Sequence, residues 1–392
     1  MVRPDERRPG PLRVGMFSPY SLTIPGGVQM QVIGLARALR RMGIEVRVLG
    51  PCDGPPPETF VTPLGKSLPT AANGSIAPLA PDPAATMRTI RALRDEQFDV
   101  LHIHEPYVPG PTMTALIVHP APVVATFHAA GHSTSYDVFE PVIRAWSRNI
   151  THQVVVSKDA LALVSAAAPG DYEMLFNGVD LPLYCGVDAH PTDGPTVFFC
   201  GRHEERKGLD VLLRAMAHLG PEVRLWVGGT GPDSAQLRAA YAGDPRIEWL
   251  GRLTEPDKIA SLKGAHVFCA PSLHGESFGV VLIEAMASHT AIVASSLDGY
   301  RNVATDGLDA LLVEPGDVDG LAEALRRVLE DPLLAEGLRV GGDRRARTFS
   351  MESLAARYAE IYRHVVATGE RRSAWRLRAS LWHSRLRRMM SG

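Results

Sequence analysis

The sequence predicts an α/β protein built from two doubly wound, Rossmann-like domains. Three observations carry this expectation. Short β-rich runs alternate with amphipathic helical runs along the chain, the pattern of parallel sheets joined by crossover helices. The pattern runs twice, with a Pro-, Asp- and Gly-rich stretch from Asp188 to Pro195 between the two series. The 392 residues are enough for two such domains, each with its own core.

In the first series the strands are expected in VGMFSPY, EVRVLG, DVLHIHE, PVVATFH and HQVVVS. Helical patterns lie between them, over residues 27–43, 84–97, 138–149 and 158–168. The stretch from Pro51 to Pro63 is rich in Pro and Gly and reads as a long irregular loop. The segment from Gly65 to Pro83, rich in Gly, Ala, Ser and Pro, reads as mobile. Long loops at the carboxyl ends of strands are where open α/β sheets bind ligands. The second series places strands in TVFFCGR, VRLWVGG, IEWLG, HVFCAPS, AIVASS and DALLVEP. The expected domains are residues 1–190 and 191–350, with a cleft between them, followed by a helix over 351–369 and a tail over 370–392.

Composition narrows the function classes. Hydrophobic residues make up 45% and charged residues 21% of the chain, an ordinary soluble balance. The net charge of −2 gives no global field for nucleic acid, and none is expected as a partner. The four cysteines are scattered; Cys200 and Cys269 lie in strand-like runs, which suits a reducing cytoplasm. The opening MVRPDERRPGPLR lacks the apolar core of a secretory signal. No segment approaches the roughly 18–20 apolar residues that cross a bilayer. The tail differs from the rest. Seven arginines and one glutamate fall in residues 370–392, and Trp375, Ala379, Trp382, Leu386 and Met389 recur at helical intervals. That pattern suits a helix on an anionic membrane surface; a disordered basic tail, or a helix packed on the body of the protein, is the alternative.

Four constellations carry candidate chemistry. Glu276 and Glu284 flank a strand–loop–helix junction in HVFCAPSLHGESFGVVLIEAMAS. Free N–H groups at such a helix start face an incoming phosphate. Glu284, expected about two turns beyond Glu276 on the same side, interrupts an apolar run and calls for a partner. Arg202 and Lys207, in GRHEERKG, follow an apolar strand and suit a pyrophosphate leaving group. Gly26 and Gly27, in PGGV, let main-chain N–H groups approach a diphosphate. The dinucleotide pattern GxGxxG is absent, which argues against an NAD enzyme. His128 ends the apolar run VVATFH, where its side chain would point into the cleft. His102 and His104 project to one face of a strand; no third metal ligand stands at signature spacing, so packing roles are expected and no metal.

These motifs together resemble the retaining GT-B glycosyltransferases that use nucleotide-diphospho-sugars. The stretches that match are VGMFSPYSLTIPGGVQ, FDVLHIHEP, VVATFH, LFNGVD, FCGRHEERKG and SLHGESFGVVLIEAMA, and the resemblance runs from about residue 12 to about residue 366. The nearest branch is that of the phosphatidylinositol mannosyltransferases. The chain departs from it at Thr23 and Ile24, where an acidic residue is expected, at Tyr107 in place of Asn, and at Glu255 in place of Asp. Its basic cluster on the second helix is thin, with Arg88, Arg91 and Arg94. The GRHEERKG loop is one residue short, which leaves Arg206 as an alternative to Lys207.

The resemblance implies a GT-B fold whose last helix, MESLAARYAEIYRHVVA, returns to the first domain. It implies a hexosyltransferase that moves mannose from GDP-mannose to a lipid acceptor of the phosphatidylinositol type. Arg202 and Lys207 would hold the diphosphate, with main-chain N–H groups of Phe278, Gly279 and Val280 on the sugar-proximal phosphate. Glu284 would take the ribose hydroxyls, Leu253 and Lys258 would line the base, and His128 and Glu276 would bind the transferred sugar. Tyr20 and Gln29 would line the acceptor. Domain closure would complete the site. No cofactor is implied beyond the sugar nucleotide as substrate, and the protein is expected in the cytoplasm, on the inner face of the cell membrane. Two alternatives stay open: a UDP-sugar transferase with another acceptor, and a membrane-docked sugar-nucleotide-binding scaffold.

Overall fold

The structure is a computed structural model that describes residues 10–24, 26–72, 75–129, 140–276 and 278–368. The tail over 370–392 and Pro25 of PGGV lie outside the described residues. The described residues form two compact units, one of residues 10–176 with 354–368 and one of residues 177–353.

The first unit holds β1 (Arg13–Phe17), β2 (Glu45–Gly50), β3 (Val61–Pro63), β4 (Leu68–Ala72), β5 (Ser75–Leu79), β6 (Val100–His104), β7 (Val123–Phe127), β8 (His152–Val155) and β9 (Glu173–Met174). Seven of these form one parallel sheet in the order β3-β2-β1-β6-β7-β8-β9. β4 and β5 form an antiparallel hairpin. The strands read as apolar runs because both faces are covered: every residue of β6 and β7 is buried. Two expectations change here. The stretch read as irregular loop contributes the edge strand β3, which pairs Val61 with Val48. The segment read as mobile is the β4–β5 hairpin, tied down by Ser21 N–H donating to Pro78 O at 3.0 Å. The helix Pro111–Val118 adds to the elements that the sequence pattern predicts.

The second unit holds β10 (Thr196–Cys200), β11 (Arg224–Gly228), β12 (Ile247–Gly251), β13 (Val267–Ala270), β14 (Ala291–Ser295) and β15 (Leu311–Val313). They form a six-stranded parallel sheet, order β12-β11-β10-β13-β14-β15. That is the doubly wound order, with its reversal between β10 and β13. Alternation along each strand splits the core between two faces. Val197, Phe199, Leu225, Val227, Val267 and Cys269 pack on one side. Phe198, Trp226, Phe268 and Ala270 pack on the other.

The units divide ahead of the predicted boundary at 190/191. Residues 177–190 join the second unit because their hydrogen bonds go there. Val179 N–H donates to Phe349 O and Met351 N–H donates to Val179 O, both at 2.8 Å. Tyr184 enters the second core, and His190 N–H donates to Ala260 O at 2.9 Å. The helix Met351–Thr368 begins at this junction, and from Leu354 it belongs to the first unit. Its buried Tyr358 and Tyr362 reach Thr126 Oγ1 at 2.8 Å and His102 Nδ1 at 2.7 Å.

Candidate active site

In the second unit, the loops after β10 and β13 meet where the strand order reverses. The β10 loop closes through a 3-10 turn, Glu205–Lys207, and Gly208 at φ +67°. A Cβ on Gly208 would stand 1.9 Å from Pro271 O, so only glycine lets the loops touch. Leu273 N–H donates to Arg206 O at 2.8 Å and locks the contact. The chemistry follows from this approach. Lys207 Nζ lies 2.5 Å from Glu276 Oε1, and Arg206 Nη1 lies 3.7 Å from the same oxygen. Ser272 Oγ also donates to that oxygen, at 2.9 Å. Glu204 ties the remaining cations together, 3.4 Å from Arg202 and 2.7 Å from Arg206. Three cations and two carboxylates thus share one connected network across the two loops. Lys207 and Glu276 are 21% and 11% exposed at the side chain, whereas Arg202 is 46% exposed and can reach toward an incoming anion.

The following helix, Val280–Ala287, starts at Gly279 with φ +83°, and no side chain caps it. A helix start without a side-chain cap is the kind of place where main-chain N–H groups receive an anion. The Phe278 side chain turns inward against Phe349, with ring centroids 5.7 Å apart. Ser277 lies outside the described residues. Since the helix begins at Val280, Glu284 sits about one turn into it and not two beyond Glu276. The two carboxylates have different partners. Glu284 is buried and pairs with Lys258 on the helix Glu255–Gly264, Nζ to Oε1 at 2.6 Å. Burial disfavours the Lys258 ammonium, but Glu284 outweighs it and raises the pKa. Residues expected to serve ribose and base separately are thus one ion pair. Leu253 is partly buried and packs against the core that holds Phe198, Trp226 and Phe268.

In the first unit, the helix Gly27–Arg41 begins after an extended Gly26, again without a side-chain cap. Gln29 is buried, its Nε2 donating to Ser21 O at 3.4 Å. Tyr20 is half-buried, and burial with nearby Glu105 pushes its phenol pKa up. His128 follows β7, and its Nε2 lies 2.8 Å from Nδ1 of buried His104. His102 lies against His104, ring centroids 4.2 Å apart. Burial lowers the pKa of all three, His128 to about 4 and His102 to about 3. The sequence motifs do not single out one further residue of this cluster. Glu105 is buried, adopts φ +50°, and accepts the main-chain N–H groups of His128 and Ala129. Its signal is nonetheless present in FDVLHIHEP, an acid at the end of an apolar strand. Among the described residues no group of three or more His, Cys, Asp or Glu has metal-binding geometry. A cavity of about 440 Å³ lined by Thr151, His152, Gln153, Asp171, Tyr172 and Glu173 holds none of the predicted site residues.

Comparison with known proteins gives consistent matches. Residues 25–182 match a family model described as Glycosyltransferase Family 4, and residues 194–331 match one described as Glycosyl transferases group 1. A phosphatidyl-myo-inositol mannosyltransferase of Mycobacterium leprae is 39% identical over 371 residues, covering 92% of this chain and 99% of that protein. One of Mycolicibacterium smegmatis is 38% identical, covering 91% and 95%. Among solved structures, a sucrose-phosphate synthase from Thermosynechococcus elongatus aligns with a TM-score of 0.73 at 22% identity, covering 91% of this chain and all of that one, a likeness of fold.

Proposed function

This chain belongs to the family-4 glycosyltransferases and has their GT-B fold of two Rossmann-like domains; from that premise we propose that it transfers mannose from GDP-mannose to a phosphatidylinositol-type lipid with retention of configuration. The observation that supports this most is the convergence of Lys207 and Arg206 on Glu276, beside an uncapped helix start. The names of the relatives at 37–39% identity point to mannose and to the acceptor class.

In the proposed reaction Arg202 and Lys207 hold the diphosphate, aided by the main chain of Phe278, Gly279 and Val280 and by that of Gly26 and Gly27 at the start of the first helix. The bond between the anomeric carbon and the β-phosphate oxygen breaks, and its electron pair stays on that oxygen. The acceptor hydroxyl oxygen bonds the anomeric carbon from the same face, and its proton passes to the leaving phosphate. Charge on the diphosphate grows along this path, so the cations favour the transition state over the bound donor. Glu276 and His128 bind the transferred sugar, Glu284 the ribose, Leu253 and Lys258 the base, and Tyr20 and Gln29 the acceptor. Lys207 and Lys258 each give up part of an existing ion pair when the donor binds. The sugar nucleotide is a substrate, and the scheme draws on no cofactor. Among the described residues no helix is long and apolar enough to cross a membrane; with a lipid acceptor, we propose a peripheral protein on the inner face of the cell membrane, with the 370–392 tail as a contact.

The test is transfer by the purified full chain, with GDP-mannose and vesicles containing phosphatidylinositol. The expected products are GDP and an α-mannosylated lipid. Transfer only from UDP-sugars, or neither transfer nor donor hydrolysis with any common sugar nucleotide, would refute the reading.

A further inference from the structure

We propose that His104 is a positioning residue that fixes His128 as the neutral Nδ1–H tautomer, so that His128 meets its ligand as a hydrogen-bond donor and not as a base. One orphaned atom sets the protons. Nε2 of His104 is buried and has no hydrogen-bond partner among the described residues. An unpaired N–H there would forfeit a full hydrogen bond, whereas an unpaired lone pair is less unfavourable. His102 lies against the His104 ring, 4.2 Å between centroids, and its own nitrogens are taken by Tyr362 and Thr126 at 2.7 and 2.8 Å. The His104 proton therefore sits on Nδ1. That nitrogen faces Nε2 of His128 at 2.8 Å, with the ring planes inclined by 25°. An Nδ1–H donor requires a bare Nε2 on His128. Because the ring is neutral, its proton is on Nδ1. Burial keeps both rings neutral.

Glu105 does for the main chain what His104 does for the ring. Its carboxylate accepts the N–H of His128 and of Ala129. It does so from a left-handed conformation at φ +50°, which a non-glycine residue keeps only where the surroundings hold it. Both supports come from the end of β6, so His128 is set from the neighbouring strand as well as from its own.

The consequence for transfer rests on the function proposed above: His128 would donate to an oxygen of the sugar donor. The tautomer itself is read without any transfer assay. The experiment labels histidine with 15N in the full-length chain and records long-range 1H–15N correlations near neutral pH. His128→Gln and His104→Leu assign the peaks. His128 is expected to show a protonated Nδ1 and a bare Nε2, and His104 the same. In His104→Leu, His128 should split its proton between both nitrogens. In His104→Asn, whose amide replaces the Nδ1–H donor, the single tautomer should return. Transfer should follow the same pattern: kcat falls about tenfold in the Leu variant, the worth of one neutral hydrogen bond, with the donor KM unchanged, and Asn recovers it. A wild-type His128 carrying its proton on Nε2, or on both nitrogens, overturns the proposal. The wild-type spectrum decides this even if the Leu variant does not fold. Absence of transfer in the wild type would strike the proposed function, while the spectrum would still show which nitrogen of His128 holds the proton.

Discussion

Lys258 and Glu284 form a single ion pair inside the second unit, 2.6 Å from Nζ to Oε1, with side chains 14% and 6% exposed. Neither would be stable there alone. Lys258→Ala leaves a buried carboxylate without its counter-charge and should destabilise the second unit by about 3–5 kcal/mol. Replacing both residues by apolar ones should recover most of that loss. Thermal melts of the two variants check this.

Glu276 and Lys207 act as a unit in the proposed chemistry. Glu276→Gln keeps the shape and removes the charge, and kcat should drop by about 10²–10³. Lys207→Ala should cost a similar factor. The double variant should lose far less than the product of the two. Multiplicative losses in the transfer assay would show that the residues work independently.

Two glycines separate fold from function. Gly279 has φ +83°, and an added Cβ would meet Tyr300 Cδ1 at 2.8 Å. Gly279→Ala should destabilise the protein by at least about 1–2 kcal/mol. A Cβ on Gly27 meets nothing within 4 Å. Gly27→Ala, at the first turn of a helix, should leave stability unchanged or raise it by up to about 1 kcal/mol. If its main chain meets the diphosphate, the donor KM should still rise. Denaturant titration paired with transfer kinetics distinguishes the two effects.

The buried histidines predict an acid limit. Burial depresses His102 to about 3 and His128 to about 4, from an ordinary 6.5. The unfolded chain binds these protons first as pH falls. Stability is therefore complete above about pH 6.5 and erodes below it, by up to roughly 1.4 kcal/mol per pH unit for each histidine. Unfolding titrations between neutral and mildly acid pH should show this slope, reduced in His102→Asn. A flat profile would mean that these rings take up their protons at the same pH in the folded protein as in the unfolded chain.

Part of this architecture is legible in the sequence, for identifiable physical reasons. Strands such as Val267–Ala270 are buried on both faces, so each is an apolar run bounded by breakers. The loops at Arg202 and Glu276 stand out because charges and glycines interrupt such runs. The helix Pro111–Val118 does not, since it is apolar all round and lacks an amphipathic period. The β4–β5 hairpin hides in a Gly-, Ala- and Pro-rich segment, although Asn73-Gly74, a tight-turn dipeptide, stands between its strands. Glu284 signals its need for a partner, but nothing local names Lys258, 26 residues earlier. Glu105 acts through a strand pairing and a left-handed backbone, which are properties of the folded sheet.

The decisive measurement is calorimetric binding of GDP-mannose and of GDP to the wild type and to Lys207→Ala with Arg202→Ala. Both ligands should bind the wild type. The paired change should weaken both by about 10²-fold or more, because each carries the diphosphate that these cations grip. Binding of equal strength to both proteins, or no binding of any nucleoside diphosphate to the wild type, would contradict a diphosphate grip at Arg202 and Lys207.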